Sequence, residues 1–253
     1  MTEEVCTPER PAPPGRGTAF ADPADLTAAL AADGFVRLSE THFPIDVLDA
    51  EFAEFRACWE ELKQDDQLVD GGFYRYRRYG RLRAVSTDAG LSLSPLPHQP
   101  FRQDSIPMWR EHERTFAPIP PATLANRCLH ALVSTDVTLA STVRDNPEWT
   151  VGLHLIRIVA RTGESGLPTP EGRHRDGHSF VGMHLLRKEN SAGGESSIYR
   201  DGHPDVRFTL ADPLDSVLVD DTALWHEASP ISVRDRTGGR AVRDMLLVDL
   251  NPA

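Results

Sequence analysis

The chain after Trp149 alternates short apolar segments with turn residues, and this pattern limits the fold more than any other feature of the sequence. Turn residues such as Gly193-Gly194 and Gly238-Gly239 separate the segments. Short apolar runs bounded in this way are typical of strands. The predicted strands cover residues 152–160, 180–186, 197–199, 216–219 and 243–250. The C-terminal part of the chain is therefore predicted to form an all-β barrel or jelly roll.

The N-terminal half shows helical periodicity. Apolar residues recur at helical spacing in residues 23–33, 46–65 and 121–146, and residues 34–38 form a predicted strand. The periodicity is weak between residues 66 and 120, so no element is predicted there. Residues 1–20 are rich in proline, glycine and charge, and they are predicted to be a disordered tail.

Together these patterns predict a mixed α+β fold. A single domain is expected over residues 21–253, because this length suits one large domain with one core. Within it, a helical buttress at about residues 21–148 is expected to pack on a β core at about residues 149–253.

The charge of the chain limits its partners. The formal net charge is −11. A protein that binds a phosphate backbone needs clustered Lys and Arg, so no nucleic-acid partner is expected. The same acidity disfavours an anionic membrane surface. A small molecule is the expected partner, and the chain is expected to be a monomer or a homodimer.

The cysteines and the apolar segments indicate a compartment. Cys6, Cys58 and Cys128 are far apart and form neither a disulfide framework nor a zinc-thiolate spacing. The N-terminal residues lack the basic-then-apolar pattern of a signal peptide. No segment reaches the roughly 20 apolar residues of a membrane span. A reducing, cytoplasmic location is therefore expected.

Three residues in the strand-rich part have the chemistry of a metal site. His174 and Asp176 are separated by one residue, and residues i and i+2 of an extended segment project to the same side. A β-barrel can bring His226 from another strand to the same mouth. Two imidazoles and one carboxylate can occupy one face of an iron(II) ion and leave the opposite face open. These three residues are the predicted metal ligands.

The other histidines fit this site less well. An extended segment would place the Cα atoms of His174 and His178 about 13 Å apart, which suits a facial site poorly. His178 is therefore expected to orient substrate or the residues around the metal. His154 alternates with apolar residues and either faces a cavity or packs in the core. The ligand set alone does not exclude zinc, because zinc hydrolases also use three protein ligands.

A downstream cation is expected to bind an acidic cosubstrate. An inward guanidinium can pair with a carboxylate through two hydrogen bonds. Arg243 is preferred because it opens the last predicted strand, whereas Arg240 lies beside the Gly238-Gly239 turn and is the alternative.

An ordered set of segments extends these features along the chain. The segments are residues 74–79, 101–103, 114–119, 154–157, 168–178, 193–196, 221–231 and 243–244. In this order they resemble the iron(II)- and 2-oxoglutarate-dependent dioxygenases. Within that family, the chain is similar to the bacterial L-isoleucine dioxygenase-like amino-acid hydroxylases. The resemblance covers most of residues 30–250.

The resemblance implies a double-stranded β-helix core of the jelly-roll or cupin-like type. It implies Fe(II) bound by His174, Asp176 and His226, and 2-oxoglutarate anchored by Arg243 or, as the alternative, Arg240. The implied reaction uses O2 to hydroxylate an unactivated carbon of a free L-amino acid or close derivative, and it releases succinate and CO2. Related halogenases lack the carboxylate ligand, so Asp176 favours hydroxylation.

Several alternatives stay open at this point, and a zinc hydrolase is one of them. The same iron chemistry can desaturate or cyclise its target, and the target can be a larger natural-product intermediate. A cupin-like metal-binding protein without catalysis is the alternative outside enzymology.

A free amino acid needs one partner for its carboxylate and one for its ammonium group. The carboxylate candidates are Arg75, Arg77, Arg78 and Arg157, and the ammonium candidates are Glu195, Asp221, Tyr74 and Trp225. Gln103, His154 and His178 are further substrate-binding candidates. Arg173 and Arg175 flank the first predicted ligand, and either would attract an anionic substrate group if it pointed inward.

Overall fold

The computed structural model describes residues 20–22 and 25–253. The predicted tail at residues 1–20 therefore lies outside the described residues except for Phe20. The α-helices are α1 (Leu26–Asp33), α2 (Ala50–Ala57), α3 (Pro121–Leu124) and α4 (Arg127–Val143). The strands are β1 (Phe35–Leu38), β2 (Lys63–Gln64), β3 (Arg75–Thr87), β4 (Gly90–Pro95), β5 (Glu148–Arg161), β6 (Phe180–Glu189), β7 (Ser191–Gly193), β8 (Glu195–Tyr199), β9 (Val206–Thr209), β10 (Ser216–Asp220), β11 (Trp225–Ala228), β12 (Ile231–Val233) and β13 (Arg240–Pro252).

The strands form one large and two small antiparallel sheets. The large sheet has the order β1-β10-β6-β13-β5-β3-β2, with β4 paired to β3. The order β11-β8-β9 forms a second sheet, and β12 pairs with β7. The large sheet and the β11-β8-β9 sheet both contribute side chains to one internal cavity. The predicted α+β class with a jelly-roll core is confirmed.

Strand β5 shows why the large sheet is covered on both sides. Val151, Leu153 and Leu155 pack in the main core with the helices. Ile156 and Ile158 lie on the opposite face and line the internal cavity. A strand that is buried on both faces reads as a nearly continuous apolar run, which is the pattern of this segment.

The helices cover the outer face of the large sheet. Leu129, Leu132 and Val133 of α4 are fully buried in the main core. Helix α1 ends at Gly34, which has φ 78° and donates its backbone N–H to the carbonyl of Leu30. This left-handed conformation suits glycine, which has no Cβ. Among the helices in the described ranges, none has both the length and the apolar character needed to cross a membrane.

The predicted helix at residues 46–65 is wrong in its extent. Helix α2 covers only Ala50–Ala57, a 3₁₀ turn follows at Cys58–Glu61, and β2 begins at Lys63. Leu48, an apolar residue within the predicted helix, is 91% exposed. Trp59 is buried and donates its indole N–H to the carbonyl of Ile156 at 3.1 Å, which joins this segment to β5.

The helical buttress predicted for residues 21–148 also includes four strands. Strands β3 and β4 lie in the region where no element was predicted, and β1 and β2 complete the N-terminal contribution to the large sheet. Strand β3 pairs with β5 over most of its length, with Arg75 opposite Ile158 and Arg77 opposite Ile156. The arginines of β3 interrupt the alternation of apolar residues, which is why its strand pattern is weak in the sequence.

Candidate metal centre

The structure brings together His174, Asp176 and His226 on the wall of the cavity. One potential ligand atom from each residue lies within 4.8 Å of the others. Asp176 approaches the Nε2 atom of His174 at 3.3 Å and that of His226 at 3.2 Å. The backbones of His174 and His226 also exchange two N–H to carbonyl hydrogen bonds, at 3.0 and 2.9 Å. The loop before β6 and strand β11 are therefore held together where the three side chains meet.

Neighbouring groups orient these side chains. Nδ1 of His174 lies 2.8 Å from the carbonyl of Gly172, and an N–H donated there leaves Nε2 free to bind a metal. Asp221 accepts the backbone N–H groups of Asp176, Gly177 and His178 at 3.0, 2.7 and 2.9 Å. Asp221 was predicted to bind the substrate ammonium group. It instead holds the backbone of the loop that contains Asp176, and it does not line the cavity.

The electrostatics keep Asp176 ionised. Burial by itself would raise the pKa of this carboxyl, but the charge and hydrogen bonds of His174 and His226 outweigh it and lower the pKa well below the ordinary value. The side chain of Gln103 donates its Nε2–H to Oδ1 of Asp176, and Arg114 donates to Oε1 of Gln103 at 2.6 Å. Gln103, a predicted substrate ligand, thus contacts the candidate metal-binding carboxylate.

The donor set fits a single iron(II) ion. Two imidazole nitrogens and one carboxylate oxygen converge from one side, and the cavity lies beside them. This combination with open positions is typical of non-haem iron(II) oxygenases. None of these three residues offers a thiolate sulfur, the ligand that structural zinc sites favour.

The cavity itself has a volume of about 90 Å³. Its wall combines apolar side chains with four arginines and the three candidate ligands. The arginines are Arg75, Arg77, Arg114 and Arg243. The wall includes Ile156, Met183, Ile198, Val217 and Met245 among its apolar residues.

Arg243 is a buried cation without a protein partner. It lies on β13, directly opposite Ile158 of β5, and is 4% exposed. Burial lowers the pKa of its guanidinium to about 10, so the group stays charged at neutral pH. Among the described residues it makes no hydrogen bond or ion pair, and its Nε atom is buried and unsatisfied. Arg240, the alternative, is exposed and does not line the cavity.

A second group of cations lies across the cavity on and beside β3. Arg75 pairs with Asp65 at 2.7 Å. Arg77 and Arg114 have no carboxylate within ion-pair distance in the described part of the chain. Burial, and then the charges of neighbouring arginines, lower the pKa of Arg77 to about 10 and that of Arg114 to about 9. Both guanidinium groups remain charged at neutral pH and carry uncompensated positive charge.

His154 and His178 lie behind Arg77 and not on the cavity wall. Arg77 donates from Nη2 to Nδ1 of His154 at 2.7 Å, and Nε2 of His154 lies 2.7 Å from Asp249. His178 approaches the same carboxylate oxygen at 3.2 Å. Burial and the charge of Arg77 lower the pKa of His154 to about 4, so this imidazole is neutral and accepts from Arg77. His154 therefore positions Arg77, and Asp249 contacts both histidines.

Most of the remaining predicted substrate residues do not reach the cavity, which corrects their expected placement. Tyr74 donates its hydroxyl to Asp70 at 2.7 Å. Arg157 projects to the opposite face of β5 and pairs with Asp244 at 2.7 Å. Glu195 is exposed.

The two arginines that flank His174 also point away from the cavity. Arg173 is exposed and lies over the rings of Tyr199 and Trp225, at 4.4 and 5.7 Å. Arg175 lies 4.7 Å from the same Trp225 ring. Trp225 thus stacks with surface cations and does not line the cavity. On the face opposite Arg75 and Arg77, Arg78 donates to the backbone carbonyls of Glu61 and Pro118.

Several polar or aromatic residues of the wall were not predicted from the sequence, and Trp109, Arg114, Glu171 and Glu227 are among them. Arg114 and Glu171 stand in segments that carried the family resemblance, but neither follows a strand alternation. Both lie outside the helices and strands, in connections whose course the residue pattern does not define.

Comparison with known proteins agrees with this geometry. The family model described as 2OG-Fe dioxygenase matches residues 56–249. L-isoleucine-4-hydroxylase from Bacillus thuringiensis is 26% identical over 140 residues, a match that covers 53% of this chain and 57% of the hydroxylase.

Two solved structures share the fold over most of the chain. A bsmA homolog from Methylobium petroleophilum has a TM-score of 0.83 and 29% identity, covering 93% of this chain and 95% of that one. The structure of IDO from Bacillus thuringiensis has a TM-score of 0.71 and 20% identity, covering 92% and 97%.

The matched family comprises oxidoreductases that use Fe(II), 2-oxoglutarate and O2. This finding favours the dioxygenase prediction over the zinc-hydrolase and non-catalytic cupin alternatives. The family model spans most of the chain, including His174, Asp176, His226 and Arg243. The chain belongs to the 2OG-Fe dioxygenase family.

Proposed function

We propose that this protein hydroxylates an unactivated carbon of a free L-amino acid or close derivative, with conversion of 2-oxoglutarate and O2 to succinate and CO2. The observation that carries the proposal is a single cavity that joins the His174, Asp176 and His226 group to two separate sets of unpaired arginines. One set suits an acidic cosubstrate, and the other suits an acidic group on the substrate.

His174, Asp176 and His226 hold the iron in this proposal. When bound with 2-oxoglutarate and O2, iron(II) supplies the oxidising power to convert a C–H group to C–OH. Gln103 and Arg114 keep the Asp176 carboxylate oriented through their hydrogen bonds. Asp176 also favours hydroxylation over halogenation, because a halide needs the position that the carboxylate fills.

Arg243 binds the distal carboxylate of 2-oxoglutarate. Its guanidinium is buried, charged and without a protein anion among the described residues. A carboxylate that accepts two hydrogen bonds from this group would satisfy the buried Nε–H and neutralise the charge. The exposed Arg240 lacks both features.

Arg77 and Arg114 bind the substrate carboxylate. Both side chains line the same cavity as Arg243, on the side of β3. The cavity of about 90 Å³ is below the roughly 300–1,000 Å³ of clefts that hold drug-sized ligands. A small cavity favours a small substrate. The similarity to a protein named L-isoleucine-4-hydroxylase supports the amino-acid class.

Turnover with a panel of the protein amino acids tests this function. The purified protein with iron(II), 2-oxoglutarate and O2 should add one oxygen atom to at least one amino acid and form succinate in equal amount. A mass loss of two hydrogens would indicate desaturation or cyclisation instead. Absence of any product from free amino acids, together with turnover of a larger conjugated amino acid, would contradict the proposed substrate class.

A further inference from the structure

Glu171 is a buried carboxylate with an unused oxygen. It lies in the loop that leads to His174, and its side chain is only 9% exposed. Its Oε1 atom lies 3.5 Å from Nε2 of His174. Its Oε2 atom is buried and has no hydrogen-bond partner among the described residues. A buried carboxylate oxygen without a hydrogen-bond donor is energetically costly. A ligand that donates a hydrogen bond to Oε2 would remove this cost.

The cavity arginines do not supply this donor. Glu171 lines the same cavity as Arg77 and Arg114, and its charge acts on the Arg114 guanidinium. In the described part of the chain, however, neither arginine forms an ion pair with Glu171. Positive and negative groups thus share one enclosed space without neutralising each other. A ligand that carries a positive and a negative group close together would pair with Glu171 and with the two arginines.

The other carboxylates of this region are already partnered. Asp176 accepts from Gln103 and faces two histidines. Glu227 accepts the hydroxyl of Tyr199. Asp65 pairs with Arg75. Among the residues that line the cavity, Glu171 is therefore the carboxylate best placed to accept a ligand cation.

We propose that Glu171 binds the ammonium group of the substrate while Arg77 and Arg114 bind its carboxylate. The assignment rests on the proposed function and narrows its substrate class to compounds with a free α-ammonium group. An ammonium group offers three donors, so it satisfies the unused oxygen of Glu171 and cancels its charge. Acylation of the amine or its replacement by hydrogen removes this interaction and leaves the carboxylate unpaired.

Binding selectivity, measured without turnover, tests the assignment. The probes are the protein amino acid that binds most tightly to the anaerobic iron(II) and 2-oxoglutarate complex, and its analogue without the amino group. For L-isoleucine this analogue is 3-methylpentanoate. Calorimetric titration should show a clear preference of the wild-type protein for the amino acid. In Glu171→Gln the amino acid should bind about 10- to 100-fold more weakly, whereas the analogue binds as before.

Two further variants separate a binding role from a structural one. Glu171→Asp keeps the charge and should retain part of the preference. Glu227→Gln changes a partnered carboxylate of the same cavity and should leave the ratio of the two affinities unchanged. All variants should bind 2-oxoglutarate with wild-type affinity, which shows that the site is intact.

The outcomes distinguish this assignment from the proposed function. If the protein oxidises an amino acid but Glu171→Gln keeps the wild-type preference, or loses both probes equally, the ammonium assignment is overturned and the function stands. If no free amino acid binds the wild-type complex, the proposed function fails and the assignment fails with it.

Discussion

At the scale of single residues, the site is defined by buried charges whose partners are missing from the protein. Arg243, Arg77 and Glu171 all line one cavity. Neither arginine pairs with a carboxylate in the described residues, and Glu171 contacts His174 through Oε1 but leaves Oε2 without a hydrogen-bond partner. Burial of a charge without a partner is unfavourable, so a sequence keeps such groups where a ligand compensates them. The sequence identified Arg243 because it opens a predicted strand, whereas Arg77 was one of several arginine candidates in a segment where no element was predicted.

Arg243→Met tests the cosubstrate anchor. Removal of one partner of a buried charge pair costs roughly 2–5 kcal/mol, so the KM for 2-oxoglutarate should rise by about 100-fold. The same change removes an unpaired buried cation and should raise the melting temperature of the protein without cosubstrate. Steady-state kinetics and thermal unfolding measure the two effects.

Arg240→Ala is the matched control for this experiment. Its side chain is exposed, so the KM for 2-oxoglutarate should stay within about twofold of the wild type. A large increase in Arg240→Ala, with little change in Arg243→Met, would reverse the assignment of the anchor.

His154 gives the protein an acid-sensitive stability. Burial and Arg77 lower its pKa from 6.5 to about 4 in the folded state, so the unfolded chain binds a proton more readily. This contribution to stability is present above pH 6.5 and is lost as the pH falls towards 4. Between pH 7 and pH 5 the loss from this one group should be about 2 kcal/mol.

Urea unfolding of the metal-free protein at pH 7 and pH 5 measures this loss. The variant His154→Gln keeps a donor for Asp249 but cannot titrate, so its free energy of unfolding should fall by about 2 kcal/mol less than that of the wild type. Equal losses in both proteins would show that His154 does not carry the effect.

At the scale of elements, the register of β3, β5 and β13 sets the positions of the cavity arginines. Arg243 of β13 and Arg75 of β3 lie opposite the same residue, Ile158 of β5. Strand spacing therefore puts them about 10 Å apart across one sheet. The sequence predicted β5 and β13 from their apolar character, but the arginines of β3 obscured its alternation. Loop residues such as Glu171 had no periodicity from which a position could be inferred.

Gly152 tests the contact between β5 and β13. A Cβ atom at this position would lie 3.1 Å from Oδ2 of Asp249, the carboxylate that holds His154 behind Arg77. Gly152→Ala should displace that carboxylate, lower the free energy of unfolding by about 1–3 kcal/mol and raise the KM for the amino acid. Chemical denaturation and steady-state kinetics measure these effects.

A double-mutant cycle provides the control for Gly152. In an Asp249→Ala background the Cβ atom has space, so Gly152→Ala should cost much less stability than in the wild type. Additive losses in the double variant would contradict a direct clash between the two residues.

At the scale of the whole molecule, a buried polar chain joins the helical layer to the large sheet. Asp136 of α4 contacts Nε2 of His184 on β6 at 2.9 Å, and Nδ1 of His184 lies 2.9 Å from Ser216 on β10. Asp136, His184 and Ser216 are each 0% exposed. This network lies in the core among helix-facing residues, so it fixes how α4 packs without contributing to the cavity.

Asp136→Ala should therefore reduce stability without changing cosubstrate binding. It leaves a buried imidazole nitrogen unsatisfied, which costs about 1–3 kcal/mol, whereas Asp136→Asn keeps an acceptor and should cost less. Denaturant unfolding and 2-oxoglutarate titration at a temperature where the variants are folded measure both effects. A large change in 2-oxoglutarate affinity with normal stability would contradict the structural role.

Anaerobic titration of the iron(II) and 2-oxoglutarate complex with the protein amino acids tests the central claim most directly. The complex should show a visible charge-transfer band in the wild type and lose it in His226→Ala. At least one free amino acid should shift that band at saturating concentration. A band that no free amino acid shifts, or one that persists unchanged in His226→Ala, would contradict an amino-acid dioxygenase built on His174, Asp176 and His226.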